Sequence, residues 1–149
     1  MIIRIQTEDF DVAALNRELM GDRSDVGAIA SFIGLVRDLA GDPLQTMTLE
    51  HYPGMTESAL RDIAERAQQR WQIVDLGIIH RVGALVPSDQ IVLVTVLSAH
   101  RGDAFNACQF IMDYLKTEAP FWKKEVSDQG AKWVESRLSD DQARKKWEE

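Results

Sequence analysis

Two β-rich runs joined by a short turn limit the fold of this chain more than any other feature of its sequence. Residues 73–85 (IVDLGIIHRVGAL) and 90–100 (QIVLVTVLSAH) are rich in β-branched residues, which favour strands. Between them lies VPSD, whose proline and polar residues are typical of a turn. We therefore predict a hairpin at this point of the chain.

The remaining elements are predicted from the spacing of apolar residues. Residues 26–37 and 44–52 are long strand-like runs, and because the turn-rich DLAGDP separates them, they suggest another hairpin. Thr7 or Asp9 is predicted to cap the helix that follows the first strand. In chain order the prediction comprises a strand at 2–6, a helix ending near Leu19, a loop at 21–25, strands at 26–37 and 44–52, a helix from Thr56 to near Trp71, the hairpin described above, a helix from Asp103 that Pro120 terminates, and short strands in FWKKEV and AKWVES.

These elements predict an α+β fold, a two-layer domain with largely antiparallel strands. The chain has 149 residues, of which 45% are hydrophobic, and this length is typical of one domain with its own core. No repeat or linker-like stretch divides the sequence, so we expect a single domain over residues 1–149. The charged tail after about residue 136 is expected to be either partly helical or mobile.

Charge, cysteine content and missing motifs exclude several classes of function. The net charge is −7, which disfavours a general nucleic-acid or anionic-membrane binder, because both need a broad basic surface. Cys108 is the one cysteine, so no intramolecular disulfide can form, and a reducing compartment is expected. The N-terminus lacks the apolar run of a signal peptide or membrane span, and we expect a cytoplasmic protein. Walker, GxSxG, GxGxxG and metal-ligating HExxH motifs are absent, and no metal site is expected.

Basic residues at the ends of predicted elements indicate a local anion site. His100 and Arg101 lie where a strand passes into a helix, and free backbone N–H groups at a helix start favour anions. Lys116 follows Met112 on the apolar face of that helix, which predicts partial desolvation of its amine. Arg37, at the end of a strand, offers a planar guanidinium to a phosphate.

Structural explanations are available for several of these residues. A lysine near a helix C-terminus commonly complements the helix dipole, and Lys123 and Lys124 could be charges that protect an edge strand. Histidines are more often hydrogen-bonded structural residues than catalysts. Cys108 is expected to be a small buried hydrophobic residue; the alternative, a persulfide carrier, needs an exposed thiol with a lowered pKa.

A set of motifs in one order is similar to that of a known enzyme family. The chain resembles the large, catalytic subunit of molybdopterin synthase, the MoaE family, from about residue 26 to about residue 133. The resemblance is weaker before residue 26 and after about residue 136. The motifs are FIGLVRD (32–38), TLEHYPGMTE (48–57), IIHRVGAL (78–85), SAHRGDAF (98–105) and FIMDYLKTEAPFWKKE (110–125).

The resemblance implies a sulfurtransferase that converts cyclic pyranopterin monophosphate (precursor Z) into molybdopterin, the dithiolene-bearing pterin of the molybdenum cofactor. The sulfur would come from the C-terminal thiocarboxylate of a small MoaD-type partner with a ubiquitin fold, and no other cofactor is implied. The implied assembly is a heterotetramer built on a homodimer of large subunits, and the implied fold contains a β-hammerhead. A non-catalytic docking module for the tail of a ubiquitin-like partner is the alternative.

The same resemblance implies roles for individual residues. Lys116, in YLKT, and Lys123, in APFWK, are the implied catalytic residues, and Lys116 would either move protons or be transiently acylated. Leu35 stands where some relatives carry a basic residue, so at this position only the backbone could contact the phosphate. The pterin phosphate and the thiocarboxylate would meet in one pocket of basic side chains. The implied substrate-binding residues are Arg37, His100, Arg101, Lys116, Lys123, Lys124 and Glu125.

Overall fold

The predicted α+β organisation is confirmed by the computed structural model, which describes residues 1–38, 44–127, 130–134 and 138–148. Helices and strands are interspersed along the chain, and the strands form two four-stranded sheets. The elements are β1 (Ile2–Gln6), α1 (Val12–Met20), β2 (Ala28–Leu35), β3 (Leu44–His51), α2 (Met55–Arg70), β4 (Asp75–Arg81), β5 (Gly83–Leu85), β6 (Gln90–Ser98), α3 (Arg101–Glu118), β7 (Phe121–Ser127), β8 (Gly130–Val134) and α4 (Leu138–Lys145).

The first sheet contains the predicted hairpin of the two β-rich runs. Its strand order is β1-β4-β6-β2, and the antiparallel pairing of β4 with β6 confirms that hairpin. The last residues of the first run, 83–85, form the separate strand β5 and pair with β3 in the second sheet. β1 pairs parallel with β4, and β2 pairs antiparallel with β6, from Ala28 opposite Ser98 to Leu35 opposite Gln90. Among the described strands β2 has a neighbour on one side only, so it is an edge strand of this sheet.

The second sheet shows that the hairpin predicted between β2 and β3 is wrong. Its strand order is β5-β3-β7-β8, so β3 pairs with β5 and β7 and belongs to a different sheet from β2. Met47 and Leu49 of β3 are buried with Val36 and Leu85 in a cluster of their own, and this burial outweighs closeness in sequence. Apart from Asp38, the turn predicted at 38–43 lies outside the described residues.

The first helix begins later than predicted because a different aspartate caps it. Asp11, rather than Thr7 or Asp9, is the N-cap, and its side chain accepts a hydrogen bond from a backbone N–H of the first turn at 3.0 Å. Asp9 instead accepts hydrogen bonds from Gln90 Nε2 at 2.9 Å and from the Phe10 N–H at 2.8 Å. These two hydrogen bonds lower the pKa of Asp9 and link the loop before α1 to the start of β6.

Helices cover both faces of the first sheet. On one face, α2 and α3 bury apolar residues such as Leu60 and Phe110 against β4 and β6. On the other face, α1 buries Leu15 and Leu19. Burial of each such side chain contributes roughly 1.5–3 kcal/mol, so the sheet is held from both sides. None of the helices in the described ranges has both the length and the apolar character that a membrane span requires.

The C-terminal segment is held against α3 by a tryptophan. α4 confirms the helical expectation for the tail, and Trp147, which follows it, donates from Nε1 to Asp113 Oδ2 at 2.7 Å. The Trp147 ring also meets Trp71 and Phe110 edge-on, with centroids 5.5 and 5.6 Å away. Upstream of α4, the two short strands predicted after Pro120 are confirmed as the antiparallel pair β7 and β8.

A close approach of two chain segments before β2 requires a glycine. Gly27 donates its N–H to the Ser98 carbonyl at 2.9 Å, and a Cβ on Gly27 would lie 2.1 Å from the Ala99 carbonyl oxygen. We expect Gly27→Ala to destabilise the fold by about 1–3 kcal/mol, as overpacking does. The matched control is Gly102→Ala in α3, where a Cβ meets nothing within 4 Å, and it should be neutral or slightly stabilising. Urea unfolding measures both variants, and equal midpoints would contradict the close approach.

Candidate functional site

α3 and β7 bring the two predicted catalytic lysines to one end of the molecule. Lys116 lies in the last turn of α3, and Lys123 lies near the start of β7. The connection between these elements is fixed from the side, because the buried Thr56 hydroxyl donates to the Pro120 carbonyl at 3.0 Å. The same hydroxyl accepts a hydrogen bond from the Tyr52 N–H at 3.0 Å. The start of α2 therefore supports the turn between the two lysines.

Lys123 is paired with a buried carboxylate on the same face of β7. Its Nζ lies 3.8 Å from Glu125 Oε1, and the Glu125 side chain is only 8% exposed. Alternation along the strand places Lys124, which is exposed, on the opposite face. Because β7 lies between β3 and β8, the explanation of both lysines as edge-strand charges is wrong. Lys123 and Glu125 therefore lie together on one face of the strand, whereas Lys124 lies on the other face.

A buried histidine and a phenylalanine join the two sheets next to these lysines. His80 of β4 stacks on Phe121 of β7, with ring centroids 3.8 Å apart and planes inclined by 18°. His80 Nδ1 lies 2.8 Å from the Arg81 carbonyl oxygen, which can only accept, so Nδ1 carries the proton. Burial is the main cause that lowers the pKa of His80 to about 4, and the charges of Lys116 and His51 add to it. His80 is therefore uncharged at neutral pH.

Acid should destabilise the protein through His80. The folded pKa is about 4 against an ordinary value of 6.5, so between these values the unfolded chain binds a proton that the folded chain does not. Stability therefore falls as the pH falls from about 6.5 to about 4, by roughly 3 kcal/mol in total. His80→Phe should lack this component, which urea unfolding of both proteins at pH 7 and pH 4.5 would measure. An equal loss in both proteins would contradict a buried neutral imidazole.

Arg37 and Lys116 lie at the same end of the first sheet. Lys116 is exposed, so the predicted desolvation of this residue is wrong, yet its charge acts on His80 near the end of β4. Arg37 is also exposed and follows β2 at the point where that strand meets Gln90, the first residue of β6. The end of β4 and the start of β6 are paired, which places both cations on one side. We call this region the lysine end, defined by Arg37, Lys116 and Lys123.

His100 and Arg101, here called the helix-start pair, lie at the opposite end of α3. His100 is the N-cap of α3, Arg101 is its first residue, and both are exposed. An α-helix rises about 1.5 Å per residue, so roughly 23 Å of helix separates Arg101 from Lys116. A single chain therefore does not bring all the predicted basic residues into one pocket, and the motifs alone do not say which subunit supplies each of them.

Cys108 is buried on the inner face of α3. The residue is 7% exposed, and its Sγ donates to the Val94 carbonyl at 3.7 Å. Burial raises the pKa of the Cys108 thiol to about 11. The expectation of a small buried hydrophobic residue is confirmed, and the persulfide-carrier alternative lacks the exposed, acidic thiol that it requires.

Sequence reasoning missed the meeting of His80 with Phe121. The two residues belong to strands of different sheets, so no local pattern connects them. One signal was available, since His80 interrupts the apolar run of IIHRV with a titratable side chain. A titratable side chain inside a buried strand needs a hydrogen-bonding or packing partner, so the sequence indicates that such a partner exists without identifying it.

Comparison with known proteins identifies the family. The family model described as MoaE protein matches residues 5–118, from β1 to the end of α3. The chain belongs to the MoaE family. A relative in Ralstonia nicotianae, the molybdopterin synthase catalytic subunit, is 58% identical over 146 residues, which cover 97% of this chain and 83% of the relative. The relatives therefore extend the MoaE match beyond α3 to the strand that carries Lys123.

Solved structures agree with this assignment. The molybdopterin biosynthesis MoaE protein from Burkholderia ambifaria MC40-6 is 53% identical, with a TM-score of 0.86 over 99% of this chain and 98% of that one. A chain in the complex of subunits 1 and 2 of molybdopterin-converting factor from Helicobacter pylori 26695 is 18% identical, with a TM-score of 0.75 over 92% of each chain. The latter shows the fold alone, and the former confirms the MoaE architecture.

Proposed function

We propose that this chain is the catalytic subunit of a molybdopterin synthase, which moves sulfur from the C-terminal thiocarboxylate of a small ubiquitin-fold partner to precursor Z. The name shared by its MoaE relatives, molybdopterin synthase catalytic subunit, supports the reaction. The observation that carries the proposal is the lysine end, where Arg37, Lys116 and Lys123 gather in a chain of net charge −7. The shared fold with a solved two-subunit complex supports a partner subunit.

The lysine end suits a reaction between two anions. Precursor Z carries a phosphate and the sulfur donor ends in a thiocarboxylate, so fixed cations are needed to hold both in one place. Glu125 fixes Lys123 by the contact at 3.8 Å, and Arg37 provides a planar pair of donors for a phosphate. Lys116 is exposed, so a bound substrate can reach its amine.

In the proposed reaction the thiocarboxylate sulfur attacks an oxygen-bearing carbon of the pterin side chain, so that a C–S bond forms while a C–O bond breaks and the departing oxygen takes up a proton. Water then cleaves the resulting thioester at its acyl carbon, which leaves the sulfur on the pterin and a carboxylate on the partner's tail. Lys116 has two possible roles in these steps. It either donates and accepts the protons, or its neutral amine takes the acyl group before water releases it. A second transfer completes the dithiolene.

A homodimer would complete the site, since one chain keeps its helix-start pair far from its lysine end. β2 is the edge strand of the first sheet, and three of its apolar residues are between 41% and 56% exposed. Antiparallel pairing of two β2 strands about a two-fold axis would join two four-stranded sheets into one and cover these residues. The exposed residues are Ile29, Phe32 and Leu35.

This pairing would place the start of one β2 beside the end of the other. β2 starts opposite Ser98, just before the helix-start pair, and it ends just before Arg37. The second copy's His100 and Arg101 would therefore approach the lysine end of the first copy, and the reverse holds by symmetry. Each dimer would then contain two composite sites, with one small partner at each, which gives the heterotetramer.

Dithiolene formation from precursor Z tests the proposed function. We expect product when the wild-type chain is mixed with the thiocarboxylated small partner, and none when the partner ends in an ordinary carboxylate. The docking-module alternative predicts that the small partner binds without product, and that precursor Z shows no phosphate-dependent affinity for the chain. Partner binding without product from the wild type would therefore reject the synthase and favour the docking module.

A further inference from the structure

His80 occupies a position at which the fold would accept an apolar side chain. The residue is 5% exposed, and the strand around it is buried, with Ile78 at 0% and Ile79 at 3%. Burial of a polar ring costs free energy unless its polar atoms are hydrogen-bonded. An apolar residue would avoid this cost, so the histidine at this position points to a role in the nearby chemistry.

The contacts of the His80 ring place it next to the lysine end. One face of the ring stacks on Phe121, the first residue of β7, and Nδ1–H is held by the Arg81 carbonyl at 2.8 Å. The titratable groups that act on the ring are Lys116 from α3 and His51 from β3. Phe121 itself lies opposite His51 in the β3–β7 pair. The ring therefore sits where α3, β3, β4 and β7 meet.

We infer that His80 is a positioning residue for sulfur transfer: its ring, stacked on Phe121, holds the start of β7 with Lys123 against the end of α3 that carries Lys116. The inference rests on the proposed function. Phe121 and Lys123 alternate onto the same face of β7, so a movement of the phenylalanine would move the lysine. Misplacement of a reacting group by about 1 Å can lower a rate by roughly 100-fold.

The absence of charge on the ring is part of this role. A protonated imidazole at this point would place another cation close to Lys116 and would oppose its positive charge. The neutral ring stacks on Phe121 without that repulsion and still satisfies the Arg81 carbonyl. Phenylalanine would stack and remain uncharged, so His80→Phe is the conservative replacement, at the cost of one hydrogen bond.

The test measures kcat and KM for precursor Z in the complete complex with the thiocarboxylated small partner. We expect His80→Ala to lower kcat by about 10–100-fold and to change KM by less than about three-fold, because the lysines are displaced but still present. His80→Phe should restore kcat to within about three-fold of the wild-type value. His80→Asn, which lacks a ring, replaces the alanine variant if that variant does not fold, and it should show the same fall.

Ile79→Ala is the control for a general loss of stability. Ile79 immediately precedes His80 in β4, and its side chain packs with Leu15 and Leu19 of α1 on the opposite face of the sheet. Truncation should lower the midpoint of urea unfolding, yet leave kcat within about two-fold. An unchanged kcat in His80→Ala, or an equal fall of kcat in Ile79→Ala, would overturn the inference about His80 but would leave the proposed function intact. A wild-type complex that forms no product would overturn the proposed function and, with it, the role of His80.

Discussion

Lys116→Ala is expected to lower the rate of dithiolene formation by at least about 100-fold, because loss of a positioned acid–base group typically costs a factor of 10² to 10⁴. The residue is exposed in the last turn of α3, so its removal should leave the fold and the melting temperature almost unchanged. The measurement is the initial rate of product formation with saturating thiocarboxylated partner. Lys145→Ala, at an exposed position in α4, is the matched control and should retain the wild-type rate.

Arginine in place of Lys116 tests whether the amine must react at all, and a search for an acyl adduct separates the two proposed roles. Arginine keeps the positive charge but stays protonated, so it can neither become acylated nor act as a base. If charge alone is needed, Lys116→Arg should recover much of the rate; if the amine reacts, it should resemble Lys116→Ala. Mass spectrometry of the wild-type chain during turnover detects an acyl adduct directly. A full rate in Lys116→Ala would contradict both roles.

Mixed dimers of two inactive variants are expected to recover activity. Lys116→Ala disables the lysine end of its own chain. Arg101→Ala disables the helix-start pair, which in the dimer would contribute to the site of the second copy. In a hybrid dimer one composite site lacks both residues and the other is intact. Random mixing makes about half of the dimers hybrids, so about one quarter of the wild-type sites, and of the rate, should return.

A second mixture controls for this recovery. Lys116→Ala and Lys123→Ala both damage the lysine end, so each composite site in their hybrid lacks one of the two lysines and no activity should return. The rates are measured after the chains have been unfolded and refolded together, with each variant treated alone for comparison. Recovery in both mixtures, or in neither, would contradict a site that is shared across β2.

Local patterns were sufficient to predict most elements, and the errors arose where distant residues compete. The helical spacing before Pro120 correctly predicted α3, because backbone geometry and proline sterics act over a few residues. The predicted hairpin between β2 and β3 was wrong because strand pairing is decided by which cluster buries Met47 and Leu49. Sequence proximity is a weak guide to such pairing when both strands are long enough to pair elsewhere.

The resemblance of the motifs named the residues of the candidate site, but it did not predict their arrangement. Motif resemblance selected Lys116, Lys123 and Arg37, which the structure places at one end of the first sheet. The separation of Arg101 from Lys116 follows from the length of α3, so it could have been deduced once the helix was predicted. The stacking of His80 on Phe121 could not have been deduced from the sequence, because it depends on how the two sheets pack.

The burial of Cys108 makes this protein convenient for following sulfur in solution. Maleimides and chromogenic disulfides react with thiolates, and a buried thiol with a pKa of about 11 presents almost none at neutral pH. The native chain should therefore contribute no background to a thiol titration of a working reaction mixture. Once the small partner has been separated from the pterin, sulfur on each could then be counted at each time point, without mutating or blocking the enzyme.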